Sequence, residues 1–236
     1  MIAAVPVEGD IITTRLRGGP GKGAGGLRWY TGRLGTAEIV CVFSGIGKTN
    51  AAHAATVLTQ EYSPSLIINF GIGGAYPSSG LKPGDIAVAS QEVYADEGVL
   101  LKDGFHTLQT VGIPLLREGR RRYFNVFPLD ARLCGRMTKA AEAAGFRSLQ
   151  GVFATVSTCT GTKKRAVELS KRFTAVCENM EGAAIAHICK LCRIPFVEVR
   201  GISNIAEERD TSKWDIPLAS ANCQKAVIAF VNSRNL

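Results

Sequence analysis

Residues Glu38 to Gly71 read EIVCVFSGIGKTNAAHAATVLTQEYSPSLIINFG. Glu38–Ser44 is apolar at consecutive positions, as a central strand buried on both faces requires. Lys48 and Thr49 lead into a helical stretch, Thr49–Tyr62, and a second apolar strand, Ser65–Gly71, follows it. Strand, helix and strand in succession are the repeating unit of an α/β domain. The rest of the chain continues the alternation. Further strands are expected at IAAVPV (Ile2–Val7), GDIAVASQEVY (Gly84–Tyr94), GVFATVS (Gly151–Ser157) and PFVEVRGIS (Pro195–Ser203). Helices are expected at Asp130–Gly145, with an acidic cap and a terminal glycine, at the alanine-rich Met180–Cys192, and at Asp215–Leu236.

Two segments resist a periodic reading. Gly18–Gly26 (GGPGKGAGG) reads as a flexible connector, because it lacks the Lys-Ser or Lys-Thr ending of a phosphate loop. Ala95–Pro128 carries charges, prolines and aromatics without a period. A loop of that length inside a compact domain is usually a lid or binding segment. No linker or internal repeat divides residues 1–236, so one domain is expected.

At 236 residues the chain is long enough to bury a large core without disulfide staples. Its seven cysteines, an odd and scattered set, read as reduced thiols of a cytoplasm. Cys189 and Cys192 form a CxxC inside an apolar helical stretch, where buried small residues are the better reading than a zinc or redox site. The first ten residues lack a basic segment and soon reach an acidic one, unlike a secretory signal. No window reaches the length of a membrane span. The net charge of +8 invites a nucleic-acid reading. The basic runs Arg117–Arg122 and Lys163–Arg165 have no interleaved aromatics, so solvated surface is the plain reading, and attraction of an anionic small substrate is the second.

Ligands of open α/β sheets collect at the carboxyl ends of strands. Three segments place polar or glycine residues there. Glu8 follows IAAVPV, either as a charge at the start of a helix or as a group facing a cleft. The glycine turns Ser44–Ala52 and Asn69–Asp85 allow close approach of backbone to a ligand. Glu181 opens the alanine-rich helix and Asn204 ends a strand, where a dipole partner and a helix cap are the plain structural readings.

Taken together, SGIGK, NFG-I-GG, LKPGDI, MEGAAIAH and PFVEVRGIS resemble, in order and over nearly the whole chain, the nucleoside phosphorylase/nucleosidase family in its methylthioadenosine nucleosidase branch. GGAYPSSGLKPGDIAVA, YADEGV, DGFHTL, ATVSTCTGT and RGISN are most similar to the futalosine-cleaving members, which serve menaquinone biosynthesis. The resemblance implies a single-domain, three-layer αβα sandwich with a mixed, twisted central sheet. It implies a cytoplasmic homodimer that takes a small purine nucleoside and needs no metal or cofactor. It also implies roles. Glu8 would orient and deprotonate the attacking water. Glu181 would hold the ribose hydroxyls, and Met180 would pack on the sugar. Ile46, Gly73 and Gly74 would line the ribose and base pocket with Thr160 and Ser203, and Trp214 would stack on the base.

Asn204 departs from the adenine-specific pattern, which has an aspartic acid there. An amide cannot give a proton to N7 of adenine, but its donor and acceptor suit the N7 and O6 edge of a 6-oxopurine such as hypoxanthine. NFGIGGAYPSS holds no Arg or Lys, which favours water over phosphate as nucleophile. The readings left open are a methylthioadenosine or S-adenosylhomocysteine nucleosidase, a purine nucleoside phosphorylase, and a non-catalytic purine or nucleic-acid binder.

Overall fold

In a computed structural model, which describes residues 1–16 and 18–233, the strands are β1 (Ile2–Ala3), β2 (Pro20–Lys22), β3 (Arg28–Leu34), β4 (Ala37–Phe43), β5 (Ile67–Ala75), β6 (Ile86–Tyr94), β7 (Gly98–Leu101), β8 (Gly104–Thr107), β9 (Leu116–Glu118), β10 (Arg121–Tyr123), β11 (Val126–Pro128), β12 (Ser148–Thr155), β13 (Ala175–Asn179) and β14 (Phe196–Ile205). The helices are α1 (Asp10–Arg15), α2 (Lys48–Tyr62), α3 (Ala131–Ala143), α4 (Lys163–Phe173), α5 (Gly182–Cys192) and α6 (Ile216–Asn232).

The Glu38–Gly71 segment forms β4, α2 and β5. Its two strands do not touch, because β1 lies between them and runs parallel to both, Ile2 pairing with Val42 and Asn69. The sheet order is β11-β6-β12-β13-β5-β1-β4-β3-β2, with parallel and antiparallel neighbours mixed. β14 pairs in parallel with β5 and antiparallel with β6. That double pairing closes β5, β13, β12, β6 and β14 into a ring within the sheet. Small residues from these strands, Ala75, Ala87, Ala89 and Cys177, pack round Phe153 and Ile202. Small side chains are what so tight a closure admits.

Helices cover both faces. On one side α2 buries Ala51, Ala54, Ala55 and Leu58, one stripe at helical spacing, against α5. On the other, α3 and α6 pack together, and Cys223, Ala226, Val227 and Phe230 of α6 reach the sheet. α3 begins and ends as its sequence indicates. Asp130 Oδ1 accepts from the amides of Arg132 and Leu133 at 2.8 and 2.9 Å, and Gly145 follows the helix at φ 89°.

Several boundaries differ from the sequence reading. IAAVPV is a strand only over Ile2–Ala3, because Pro6 opens a 3-10 turn over Pro6–Glu8. Gly18–Gly26 is no plain connector: Pro20–Lys22 pairs with Arg28–Tyr30 at the outer edge of the sheet, where a proline's missing N–H costs nothing. Ala95–Pro128 is ordered as two small hairpins, β7–β8 and β9–β10, followed by the edge strand β11. Strands of three or four residues are too short to show a period. The last helix ends at Asn232, and Arg234, Asn235 and Leu236, included in its sequence reading, lie outside the described residues.

Candidate active site

Glu8, Ile46, Gly73, Gly74, Thr160, Met180, Glu181, Ser203, Asn204 and Trp214, all singled out in the sequence, line one cleft of about 290 Å³. All but Trp214, which follows the 3-10 turn Thr211–Lys213, come from the end of a strand or the loop after it. β1 runs into the turn that carries Glu8, β5 ends in the glycines, α5 starts beside Glu181, and β14 ends in Ser203 and Asn204.

Glu8 is 3% exposed. Its Oε2 accepts from the amides of Ala4 and Val5 at 2.9 and 3.1 Å, and its Oε1 from the amide of Ile72 at 2.9 Å. Burial pushes its pKa above the ordinary glutamate value, and the Arg200 guanidinium and these amides offset the rise only in part. A carboxylate so held is fixed in place and more basic than one in water. Gly71 makes room for it: a Cβ there would stand 2.7 Å from Glu8 Cδ, nearer still to Oε1, and 3.0 Å from Arg200 Nη1.

Arg200, 1% exposed, is the hub of the floor. Its Nε donates to Glu198 Oε1 at 2.9 Å, Nη2 to Glu181 Oε2 at 3.2 Å and Nη1 to the Ile72 carbonyl at 3.2 Å, with Glu8 Oε1 4.0 Å from Nη1. Glu181 also accepts from the Gly47 amide at 2.9 Å, which ties the start of α2 to the start of α5. Below them, Asn179 Oδ1 accepts from the amides of Glu181 and Gly182 at 2.9 and 2.7 Å, satisfying the first turn of α5.

A bulge in β14 leaves Ser203 unpaired between Ile202, opposite Gly73, and Asn204, opposite Gly74. The Ser203 hydroxyl donates to Asn204 Oδ1 at 2.8 Å, and Asn204 Nδ2 donates to the Ile205 carbonyl at 3.1 Å. The amide keeps one N–H and one lone pair for a ligand. Thr160 is held through its amide, at 2.9 Å, and its hydroxyl by the buried Glu178, which also accepts from Tyr76 Oη at 3.0 Å. The Arg209 guanidinium lies 4.9 Å from the Trp214 ring, one face of which it covers. Ile46 is 57% exposed at the mouth. There, with Met180, it also borders a second cavity lined by Lys48, Thr49, Ser157 and Thr158. Lys48 is already paired with Asp96 and Glu97 at 2.8 and 2.9 Å.

Arg200, Asn179, Glu178 and Ile72 were not singled out from the sequence. Arg200 and Glu198 had a signal: two charges two residues apart inside an apolar strand share one face and must be paired if buried. Asn179 and Glu178 had none. Arg121 of the basic run lies over the Tyr123 ring at 4.9 Å, and Glu118 bonds Lys190 at 2.8 Å; neither residue borders the cleft. Among the described residues no group of three His, Cys, Asp or Glu is placed to hold a metal ion, and no helix is long and apolar enough to cross a membrane.

Residues 2–232 match the family described as the phosphorylase superfamily. The chain is 37% identical over 201 residues to a futalosine hydrolase of Thermus thermophilus, covering 85% of this chain and 84% of the relative. It is 29% identical to a 5'-methylthioadenosine/S-adenosylhomocysteine nucleosidase of Psychromonas ingrahamii, covering 100% and 98%. Among solved structures, the nucleosidase of that kind from Neisseria meningitidis, in complex with methylthio-immucillin-A, superposes with a TM-score of 0.85 at 26% identity, covering 98% of this chain and 97% of the other.

Proposed function

The chain belongs to the phosphorylase superfamily, and we propose that it is a nucleosidase that hydrolyses the N-glycosidic bond of futalosine, releasing hypoxanthine and dehypoxanthine futalosine. Breaking a ribosyl–purine bond passes through an oxocarbenium-like sugar, by analogy with glycoside hydrolysis. Glu8, desolvated and held by three backbone amides, takes the proton of the attacking water. Glu181 accepts hydrogen bonds from the ribose hydroxyls, and its charge lies near the developing positive sugar. Met180 packs on the ribose, and the free face of Trp214 meets the base. Ile46, Gly73, Gly74, Thr160 and Ser203 shape the pocket around them.

Asn204 is the observation that carries the choice of base. Its amide offers one donor and one acceptor at the base end of the cleft, complementary to N7 and O6 of hypoxanthine. A site whose buried polar group is left unmatched by the wrong base discriminates strongly. The similarity to the Thermus thermophilus futalosine hydrolase supports the same choice. Water as nucleophile is supported by Arg200, whose N–H groups already serve Glu198, Glu181 and the Ile72 carbonyl instead of a phosphate. The substituent on the sugar runs past Ile46 and Met180 into the second cavity. Exposed Leu100 and Ile113, 81% and 72% accessible, support a homodimer, which sedimentation velocity tests.

The test is Glu8→Gln with futalosine as substrate. Loss of the general base lowers kcat by a factor on the order of 10²–10⁴. Hypoxanthine release at the wild-type rate contradicts the assignment. Relatives named as methylthioadenosine nucleosidases favour a second reading, which turnover of methylthioadenosine faster than futalosine would establish.

A further inference from the structure

Beneath the cleft lie two carboxyl groups that the proposed chemistry does not use. Glu92, on β6, and Glu198, on β14, are both fully buried at 0% exposure. They face each other across Gly182, the first residue of α5. A Cβ on Gly182 would stand 2.5 Å from Glu92 Cδ and Oε1, and closer still to Glu198 Oε2. Only glycine leaves room for the two groups at this point. Glu198 Oε1 accepts from Arg200 Nε at 2.9 Å, while Glu198 Oε2 has no N–H or hydroxyl donor. An ionised oxygen without a donor in a dry interior is costly, and two facing carboxylates there repel. A proton on Glu92 Oε1 removes both faults at once, because it supplies the donor that Oε2 lacks.

We infer that Glu92 and Glu198 hold one proton between them, and that the single negative charge they keep positions Arg200 and, through it, Glu8 and Glu181. The direction of the Glu92 titration agrees: burial and the neighbouring Glu198 carboxylate push it well above the usual range. The Arg200 guanidinium pulls the other way without reversing the rise, and the other groups that hydrogen-bond to Glu92 are neutral donors. Thr155 donates its hydroxyl to Oε2 at 2.7 Å, and Asn179 Nδ2 lies 3.3 Å from both oxygens. The nearby Tyr94 phenol and Cys177 thiol are pushed up by burial and stay uncharged. Thr155 also accepts from the Ala183 amide at 2.8 Å, and Asn179 from those of Glu181 and Gly182. The pair therefore steadies Glu181 twice, through Arg200 from the side and through the first turn of α5 from below. Glu92 and Glu198 are positioning residues; neither lines the cleft.

The kinetic part rests on the nucleosidase reading; the proton does not, so two variants and two readouts separate them. Glu92→Gln replaces an acid that already donates with an amide that donates. Its kcat stays within about threefold of wild type and its acid limb is unmoved, whereas Glu92→Gln/Glu198→Gln, with no charge left beneath Arg200, loses about tenfold or more. In the double variant Arg200 faces Glu8 and Glu181 without a competitor. The acid limb of kcat/KM therefore moves to lower pH, with KM little changed.

Thermal unfolding supplies the readout that needs no substrate. A group that binds its proton more tightly in the folded state stabilises fully below its unfolded pKa, and that contribution is lost as pH rises toward its folded pKa. Wild type therefore loses stability above about pH 4.3, the ordinary glutamate value, through Glu92. Glu92→Gln does not, so its Tm relative to wild type climbs as pH rises above the ordinary glutamate value. A Tm difference independent of pH overturns the shared proton even if no nucleoside is ever cleaved. A kcat for Glu92→Gln as low as that of the double variant overturns the positioning role.

Discussion

Gly71→Ala adds one methyl group at the point where the site has least room. The new Cβ would lie 2.7 Å from Glu8 Cδ, closer than real Cβ atoms come, and 3.0 Å from Arg200 Nη1, a separation tighter than most real contacts. Neither neighbour can retreat cheaply. Glu8 is tied to the amides of Ala4, Val5 and Ile72, and Arg200 to Glu198, Glu181 and the Ile72 carbonyl. Overpacking of this kind costs about 1–3 kcal/mol. If the carboxylate swings off the Ile72 amide, the lost charged hydrogen bond adds about 1.5–3 kcal/mol. For a chain of this size each kcal/mol lowers Tm by about 2–4 °C, so the two costs together lower it by about 5–24 °C. A base displaced by about 1 Å also costs roughly 10²-fold in rate. Calorimetry and purine release measure the two effects. Gly21→Ala, with nothing within 4 Å of its Cβ, is the matched control and stays within about 0.5 kcal/mol of wild type. A Gly71→Ala protein with wild-type Tm and kcat would refute the claim that Glu8 and Arg200 are fixed by packing.

Three further outcomes follow from the same geometry. The base must be ionised to act, so kcat/KM falls as pH drops through the Glu8 pKa. Because burial raises that pKa, the acid limb lies above the ordinary glutamate value of about 4.3, and a limb at or below it contradicts the assignment. Asn204→Asp, which restores a proton donor, shifts the ratio of kcat/KM for adenine over hypoxanthine nucleosides upward by about tenfold or more; an unchanged ratio removes Asn204 from base recognition. Gly135→Ala, inside α3 with open space around its Cβ, raises stability by about 0.5–1 kcal/mol in urea unfolding, and destabilisation contradicts it.

Much of the layering of the fold was legible because most long elements carry their own period, although β3 and α4 were not read from the sequence. Consecutive apolar residues in β5, β12 and β14 announce strands covered on both faces, and Asp130 with Gly145 brackets α3. The closure of β14 onto both β5 and β6 was not legible, since pairing partners leave no mark on a strand's own pattern. The hairpins of Ala95–Pro128 were missed because their strands are too short for any period. At the site, motif order brought ten lining residues together. The buried charges stayed hidden: Glu92 and Glu198 lie more than one hundred residues apart in sequence and meet only across Gly182. Arg200 was not singled out either, although two charges two residues apart in an apolar strand, Glu198 and Arg200, were a signal that could have found it.

The central claim is that this cleft hydrolyses a 6-oxopurine nucleoside. The most direct measurement is hypoxanthine release from futalosine by the purified protein, with and without inorganic phosphate, beside adenine release from methylthioadenosine. The account predicts hypoxanthine release that does not depend on phosphate and exceeds adenine release by about tenfold or more in kcat/KM. Release only with phosphate, or faster release of adenine, would contradict it.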